Sequence, residues 1–165
     1  MSQGSRIDIA LAGPDDVEAI AALFAAIDLH YQNQTLDPEE ALEKAALYLR
    51  EPDNGAHYAI ARIDGTPVGL ACFALFRHGL IATGSVFLKD LFVTEAARGS
   101  GAGEALMQFV ARYARDRDVT RIDLSVDVPN TGAARFYDRL GGRLEDSKRF
   151  YRFIGEAFAK LADKG

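Results

Sequence analysis

The run Arg98-Gly99-Ser100-Gly101-Ala102-Gly103-Glu104 sets three glycines at alternate positions, separated by Thr94 to Ala97 from an apolar segment that ends at Val93 and leading into a helical one. Residues without Cβ let successive amide N–H groups turn toward a common point, and a helix N-terminus behind them leaves its first donors unsatisfied. Such a concavity binds phosphate, and a pyrophosphate would satisfy several of those donors at once. Arg98 adds charge-assisted bonds at the rim. The run is no dinucleotide fingerprint, which requires G-x-G-x-x-G: Gly99-Ser100-Gly101 leads to Glu104, and Gly101-Ala102-Gly103 to Leu106. A nucleoside triphosphatase loop would need Gly-Lys-Ser/Thr, which is absent. The competing reading is a strand-to-helix connector whose glycines serve only its turns.

A second constellation follows: Asn130-x-x-Ala133-x-x-Phe136-Tyr137-x-x-Leu140-Gly141, an Asn opening a short helix that carries a Tyr and ends at Gly. The two motifs, in this order and with a strand between them, resemble the GCN5-related N-acetyltransferase (GNAT) superfamily. Within it the chain is similar to the diamine (spermidine/spermine) acetyltransferase-like branch, through residues 88–93, residues 130–141 and the tail Tyr151-Arg152-Phe153. The resemblance extends loosely over nearly the whole chain. It implies that acetyl-CoA is the co-substrate and that its pyrophosphate lies on Arg98, Gly99, Ser100, Gly101, Ala102, Gly103 and Glu104. It further implies that Leu91, Phe92 and Val93 pair with the pantetheine arm and that a backbone N–H there polarises the thioester. Asn130 then caps its own helix, contacts the cofactor, or does both. Tyr137 becomes the catalytic acid: a phenol with an ordinary pKa near 10 can give its proton to a departing thiolate. The alternative for Phe136-Tyr137 is a packed helix face.

The acceptor side departs from the branch. Where diamine acetyltransferases carry a Glu that relays the amine proton, this chain has Lys89, which cannot accept a proton while charged and repels a polyamine. Lys89 suits an amine that also bears a carboxylate or phosphate, unless it lies folded away on the surface. Asp90 is adjacent, and alternation turns it to the opposite strand face unless a bulge intervenes. Ser125, Asp127 or a water chain are other routes for the proton. The family's acceptor wall would fall at Asp28, His30, Tyr31 and Gln32; His30 alone would more often be an ordinary polar residue at a helix end.

The elements that hold these residues can be read from periodicity. Ile7, Ile9 and Leu11 alternate as a strand, and Gly13-Pro14-Asp15-Asp16 ends it and caps a helix with Val17, Ile20, Leu23, Phe24 and Ile27 at helical spacing. A second helix runs from Asp37-Pro38 to about Arg50, followed by a loop over 51–55. Segments 57–63 and 67–76 form a hairpin about Asp64-Gly65. A strand over 86–93 feeds the glycine loop, and Ala102, Leu106, Val110 and Ala114 mark the buried stripe of the helix after it. A strand over 120–126, a helix from Pro129-Asn130 through Leu140, a strand over 150–154 and a helix over 156–164 complete the order. The fold class is α+β, and the resemblance makes it an α/β/α sandwich with a mixed, mainly antiparallel sheet of six to seven strands flanked by helices. No linker or repeat interrupts residues 1–165, so a single domain is expected.

At 165 residues, with 48% hydrophobic and 26% charged, the composition is that of an ordinary globular chain. A net charge of −5 with no basic cluster disfavours nucleic acid, and no apolar run is long enough for a membrane span. Cys72 is alone, so no disulfide framework or all-Cys metal site is available, and inside an apolar strand it is core. His57 and His78 lack metal-like spacing, and no metal is implied. These features and a start without a leader-like segment point to the cytoplasm. The expected reaction is direct acetyl transfer to a primary amine of a small molecule, such as an amino acid or diamine. Protein or peptide acetylation and a non-catalytic acyl-CoA sensor are the alternatives. The resemblance also implies a homodimer, for which exposed residues of the strand over 150–154 offer an interface; a monomer with that strand packed internally is the alternative.

Overall fold

A computed structural model of the chain describes residues 6–32, 37–51, 55–78 and 84–163. Residues 52–54 of the expected loop, the side chain of Gln32, and Lys164 at the expected end of the last helix lie outside them. The described residues form two compact units, Met1–Ser125 and Val126–Gly165.

In the first unit the strands β1 (Ile7–Leu11), β2 (His57–Ile63), β3 (Thr66–Phe76), β4 (Ser85–Val93) and β5 (Ile122–Leu124) lie in chain order across one sheet. The first three pairings are antiparallel and β4–β5 is parallel. The β2–β3 turn fits its residues: Asp64 and Gly65 both take positive φ, 49° and 85°, as a two-residue hairpin turn requires. Helix α1 (Val17–Gln32) follows a short turn in which Asp16 Oδ2 accepts from Gly13 N at 2.8 Å. Helix α2 (Pro38–Arg50) is capped by Asp37, whose Oδ1 accepts from Glu39 N at 2.9 Å.

The two faces of the sheet are buried differently. Ile20, Leu23, Ala41 and Ala45 of α1 and α2 pack with Tyr58, Ile60, Leu70 and Cys72 on one face. On the other, α3 (Ala102–Arg115) buries Ala102, Leu106, Val110 and Ala114, the expected stripe. Gly69 makes this approach possible, since a Cβ there would sit 2.9 Å from the Phe92 carbonyl and 3.2 Å from Leu106 Cδ1.

In the second unit, α4 (Thr131–Arg139) begins at Asn130 and ends at Gly141, which takes φ of 86° while Gly142 N donates to Tyr137 O at 2.9 Å. Helix α5 is Gly155–Ala162.

Two strand expectations need correction. The sheet of the described residues has five strands, not six to seven: residues 150–154 form no strand, because no described strand pairs with them and an isolated extended segment cannot satisfy its own backbone. The strand expected over 120–126 shrinks to Ile122–Leu124. Its partner β4 has an extra residue immediately beyond the last paired position, and the ladder stops there.

At the C-terminal end of α3, a 3.0 Å hydrogen bond joins Tyr113 Oη and His57 Nε2, and Arg117 lies 3.6 Å over the Tyr113 ring. Burial pushes the His57 pKa below its ordinary 6.5, and the Arg117 guanidinium pushes it further down. The unfolded chain therefore binds this proton more tightly. The His57 contribution to stability is complete above the unfolded value and is lost as pH falls through the folded one. Urea unfolding at about pH 7 and about pH 5 should show a larger acid loss of stability for the wild type than for His57→Gln. Parallel losses would contradict the assignment.

Candidate active site

Strand β4 changes character at Lys89. Leu88 is opposite Phe73 on β3, and Asp90 is opposite Cys72, so Lys89 is the extra residue of a bulge. Cross-strand partners share a face, and Phe73 and Cys72 point to opposite faces. The bulge thus turns Asp90 and Phe92 toward the α1–α2 face, while Leu88, Leu91 and Val93 face α3. Simple alternation, which sets 86, 88, 90 and 92 on one face, fails here. Lys89 Nζ and Asp90 Oδ1 come within 3.7 Å, and the Lys89 side chain is 67% exposed.

Pairing with β5 ends at Leu88, while pairing with β3 continues to Val93. Thr94 N donates to Val68 O, so Phe92, two residues earlier, also directs its backbone groups at β3. The N–H and C=O groups of Leu91 and Val93 therefore point away from β3, to an edge with no strand neighbour among the described residues.

The glycine loop continues from this edge. Gly99 and Gly101 take φ of 81° and 93°, values that an L side chain resists. A Cβ on Gly99 would meet open space, so its requirement is backbone conformation and access rather than packing. Gly101 caps α3, and Ser100 Oγ accepts from Ala102 N at 3.3 Å. Among the described residues, the amides of Gly99, Gly101, Gly103 and Glu104 meet no protein acceptor. Donors gathered at a 14-residue helix N-terminus fit a diphosphate. The Glu104 carboxylate is engaged by Gln108 Nε2 at 3.2 Å, which leaves its backbone N–H as its contribution to the loop. Arg98 Nε reaches Val93 O and Arg98 Nη2 reaches His30 Nε2, each at 3.4 Å.

His30 and Tyr31, at the end of α1, belong to the same neighbourhood: the His30 ring lies 6.0 Å from that of Phe92 and 4.9 Å from that of Tyr31. The first unit thus brings together Leu91, Phe92, Val93, residues 98–104, His30, Lys89 and Asp90. Asn130 and Tyr137 belong to the second unit. There Asn130 Oδ1 accepts from Ala133 N at 3.1 Å, the cap expected of it, and the Tyr137 ring packs edge-on 5.2 Å from Phe136. Cys72 is core: burial, with Asp90 adding to it, pushes its thiol up to about 12, so no thiolate forms near neutral pH. Among the described residues, no three His, Cys, Asp or Glu side chains gather as metal ligands.

A sequence model of the Acetyltransferase (GNAT) family matches residues 21–142. The chain belongs to this family. It is 34% identical over 119 residues to a mycothiol acetyltransferase of Acidothermus cellulolyticus, covering 70% of this chain and 34% of that protein. It is 34% identical to a thialysine N-epsilon-acetyltransferase of Sus scrofa, over 48% of this chain and 49% of that one. The chain thus spans a third to a half of the length of these relatives. An integron cassette protein from the mobile metagenome of V. cholerae has the same GNAT fold, with a TM-score of 0.86 at 25% identity over 96% of this chain and 98% of that one. An aminoglycoside N-acetyltransferase solved with CoA shares the fold at a TM-score of 0.72 and 20% identity, over 92% and 97% of the two chains. The α+β class and the mainly antiparallel mixed sheet stand as read from the sequence.

Residue spacing gives no sign of the Arg98–His30 contact, and of the two courses left open for Asp90 the chain takes the bulge. The bulge left one trace: strict alternation would place the charged Asp90 in line with buried Val86, Leu88 and Phe92. Gly101→Val should raise the Kd for coenzyme A at least about tenfold by forcing the loop out of its left-handed conformation. Calorimetric titration beside a thermal melt checks this, and unchanged affinity in a folded variant would contradict it.

Proposed function

We propose that this chain is an acetyl-CoA-dependent N-acetyltransferase that moves the acetyl group to a primary amine of a small molecule by direct attack on the thioester. The observation that carries the reading is the unpaired β4 edge at Leu91 and Val93 running into the donor-rich loop at Gly99–Glu104. An arm with amide groups suits the edge and a pyrophosphate suits the loop. Leu91, Phe92 and Val93 hold pantetheine, with one backbone N–H polarising the thioester carbonyl. Arg98, Gly99, Ser100, Gly101, Ala102, Gly103 and Glu104 hold the phosphates. Asn130 orients its helix and contacts the co-substrate, and Tyr137 gives a proton to the departing thiolate. Tyr31, Lys89 and Asp90 border the acceptor, with Lys89 drawing a carboxylate or phosphate and Asp90 steering the ammonium.

The names of the relatives, which include an L-ornithine N5-acetyltransferase of Arabidopsis thaliana beside the mycothiol and thialysine enzymes, support a small amine acceptor. We read residues 1–165 as one such domain, since the family match crosses the boundary between the two units. The chain works in the cytoplasm, consistent with its lone cysteine, and pairs as a homodimer through residues 150–154, where Phe150, Tyr151, Phe153 and Ile154 are all at least 60% exposed.

Thiol release from acetyl-CoA, measured with amino acids, diamines and peptides, should reveal turnover on an amine that also carries an anionic group. Coenzyme A binding without turnover on any amine would favour a sensor. Tyr137→Phe should lower kcat about 100-fold with coenzyme A affinity nearly unchanged; an unaltered kcat would remove Tyr137 from the reaction. Lys89→Glu should shift preference toward diamines, and an identical substrate ranking would count against the role given to Lys89.

A further inference from the structure

Arg98 spans two acceptors at the mouth of the open edge, the Val93 carbonyl and His30 Nε2. A guanidinium carries donors only, so the imidazole nitrogen that it meets must offer a lone pair. Neither acceptor that holds Arg98 is an anion, whereas a diphosphate accepts charge-assisted bonds about twice as strong. A pyrophosphate on the amides of Gly99, Gly101, Gly103 and Glu104 competes for the same guanidinium, one residue away.

His30 is exposed, so Nε2 becomes accessible once Arg98 leaves it. Its ring stands beside Phe92 of β4, on the face to which the bulge also turns Asp90. Arg98 on the loop and Tyr31 on α1 meet its ring directly; Asp28 lies two residues earlier on α1, and Asp90, paired with Lys89, shares the β4 face of Phe92. Lys44 of α2 acts on Asp28.

We propose that His30 Nε2 takes the proton that the acceptor amine must lose, and that Arg98 masks this lone pair until the pyrophosphate of acetyl-CoA draws the guanidinium away. The inference rests on the acetyltransferase reading above. The acceptor arrives as an ammonium and passes one proton to His30 Nε2, which becomes an imidazolium. The neutral amine nitrogen bonds to the acetyl carbon as the carbon–sulfur bond breaks. The thiolate takes the phenol proton of Tyr137, and the further proton lost from nitrogen restores that phenol. His30 returns its proton to solvent, so one proton is released per turnover. The amine is thus deprotonated only when the acetyl donor is in place.

NMR spectra of histidine-labelled protein read this directly, with His30→Gln assigning one of three histidine signals. The His30 ring signals should differ between free Arg98→Gln and the free wild type, and coenzyme A should move the wild-type signals toward those of the variant. His30→Gln should lower kcat about 100-fold and flatten the acid limb of the pH profile, while the Kd for coenzyme A changes less than about twofold. Movement of the loop amides with no change at His30 would overturn the masking, and an unaltered His30→Gln pH profile would overturn the proton transfer. Loop amides that ignore coenzyme A would remove the acetyltransferase reading, and this inference with it.

Discussion

A strand that loses its neighbour halfway along must still satisfy its backbone groups, and β4 is that strand. Beside β5 it is paired on both edges as far as Leu88; beyond the Lys89 bulge, Leu91 and Val93 direct their N–H and C=O groups at no strand. An extended ligand with amides of its own would have to pair with these groups, since an unpaired backbone group removed from water costs about 1–3 kcal/mol. Arg98 already donates to the Val93 carbonyl there. The edge ends at the loop whose amides are likewise unmatched. One continuous track of backbone donors and acceptors follows, lying entirely within the first unit.

That track depends on how closely α3 approaches the sheet. Leu106 seats against Gly69, whose missing side chain leaves room beside the Phe92 carbonyl, and Val93 closes the same contact. With Leu106, Val110 and Ala114 fully or nearly fully buried, the helix N-terminus is held at the end of β4. The loop then needs only left-handed turns at Gly99 and Gly101 to direct its amides outward. On the opposite face, the core of Ile20, Leu23, Leu70 and Cys72 carries the end of α1 to Phe92. Helix packing on both faces therefore converges on one stretch of β4.

Much of this was legible in the residues. The stripe Ala102, Leu106, Val110, Ala114, the Asp64-Gly65 hairpin, the Asn130 cap and the Gly141 stop all act through local geometry, which neighbouring residue types determine. What was left open or hidden was set by pairing between distant segments. The bulge at Lys89 exists only in register with Cys72 and Phe73, and the early end of β5 follows from it. Residues 150–154 have the apolar, aromatic composition of a strand, but composition supplies no hydrogen-bonding neighbour. The contact of Arg98 with His30 joins residues 68 apart in sequence, beyond the reach of any spacing rule.

The most direct test of the account is backbone hydrogen exchange with and without coenzyme A. Protection should appear at Leu91, Val93, Gly99, Gly101, Gly103 and Glu104 and leave Phe92, already paired to β3, unchanged. Coenzyme A that binds without slowing exchange at these amides, or that protects some other segment instead, would contradict it.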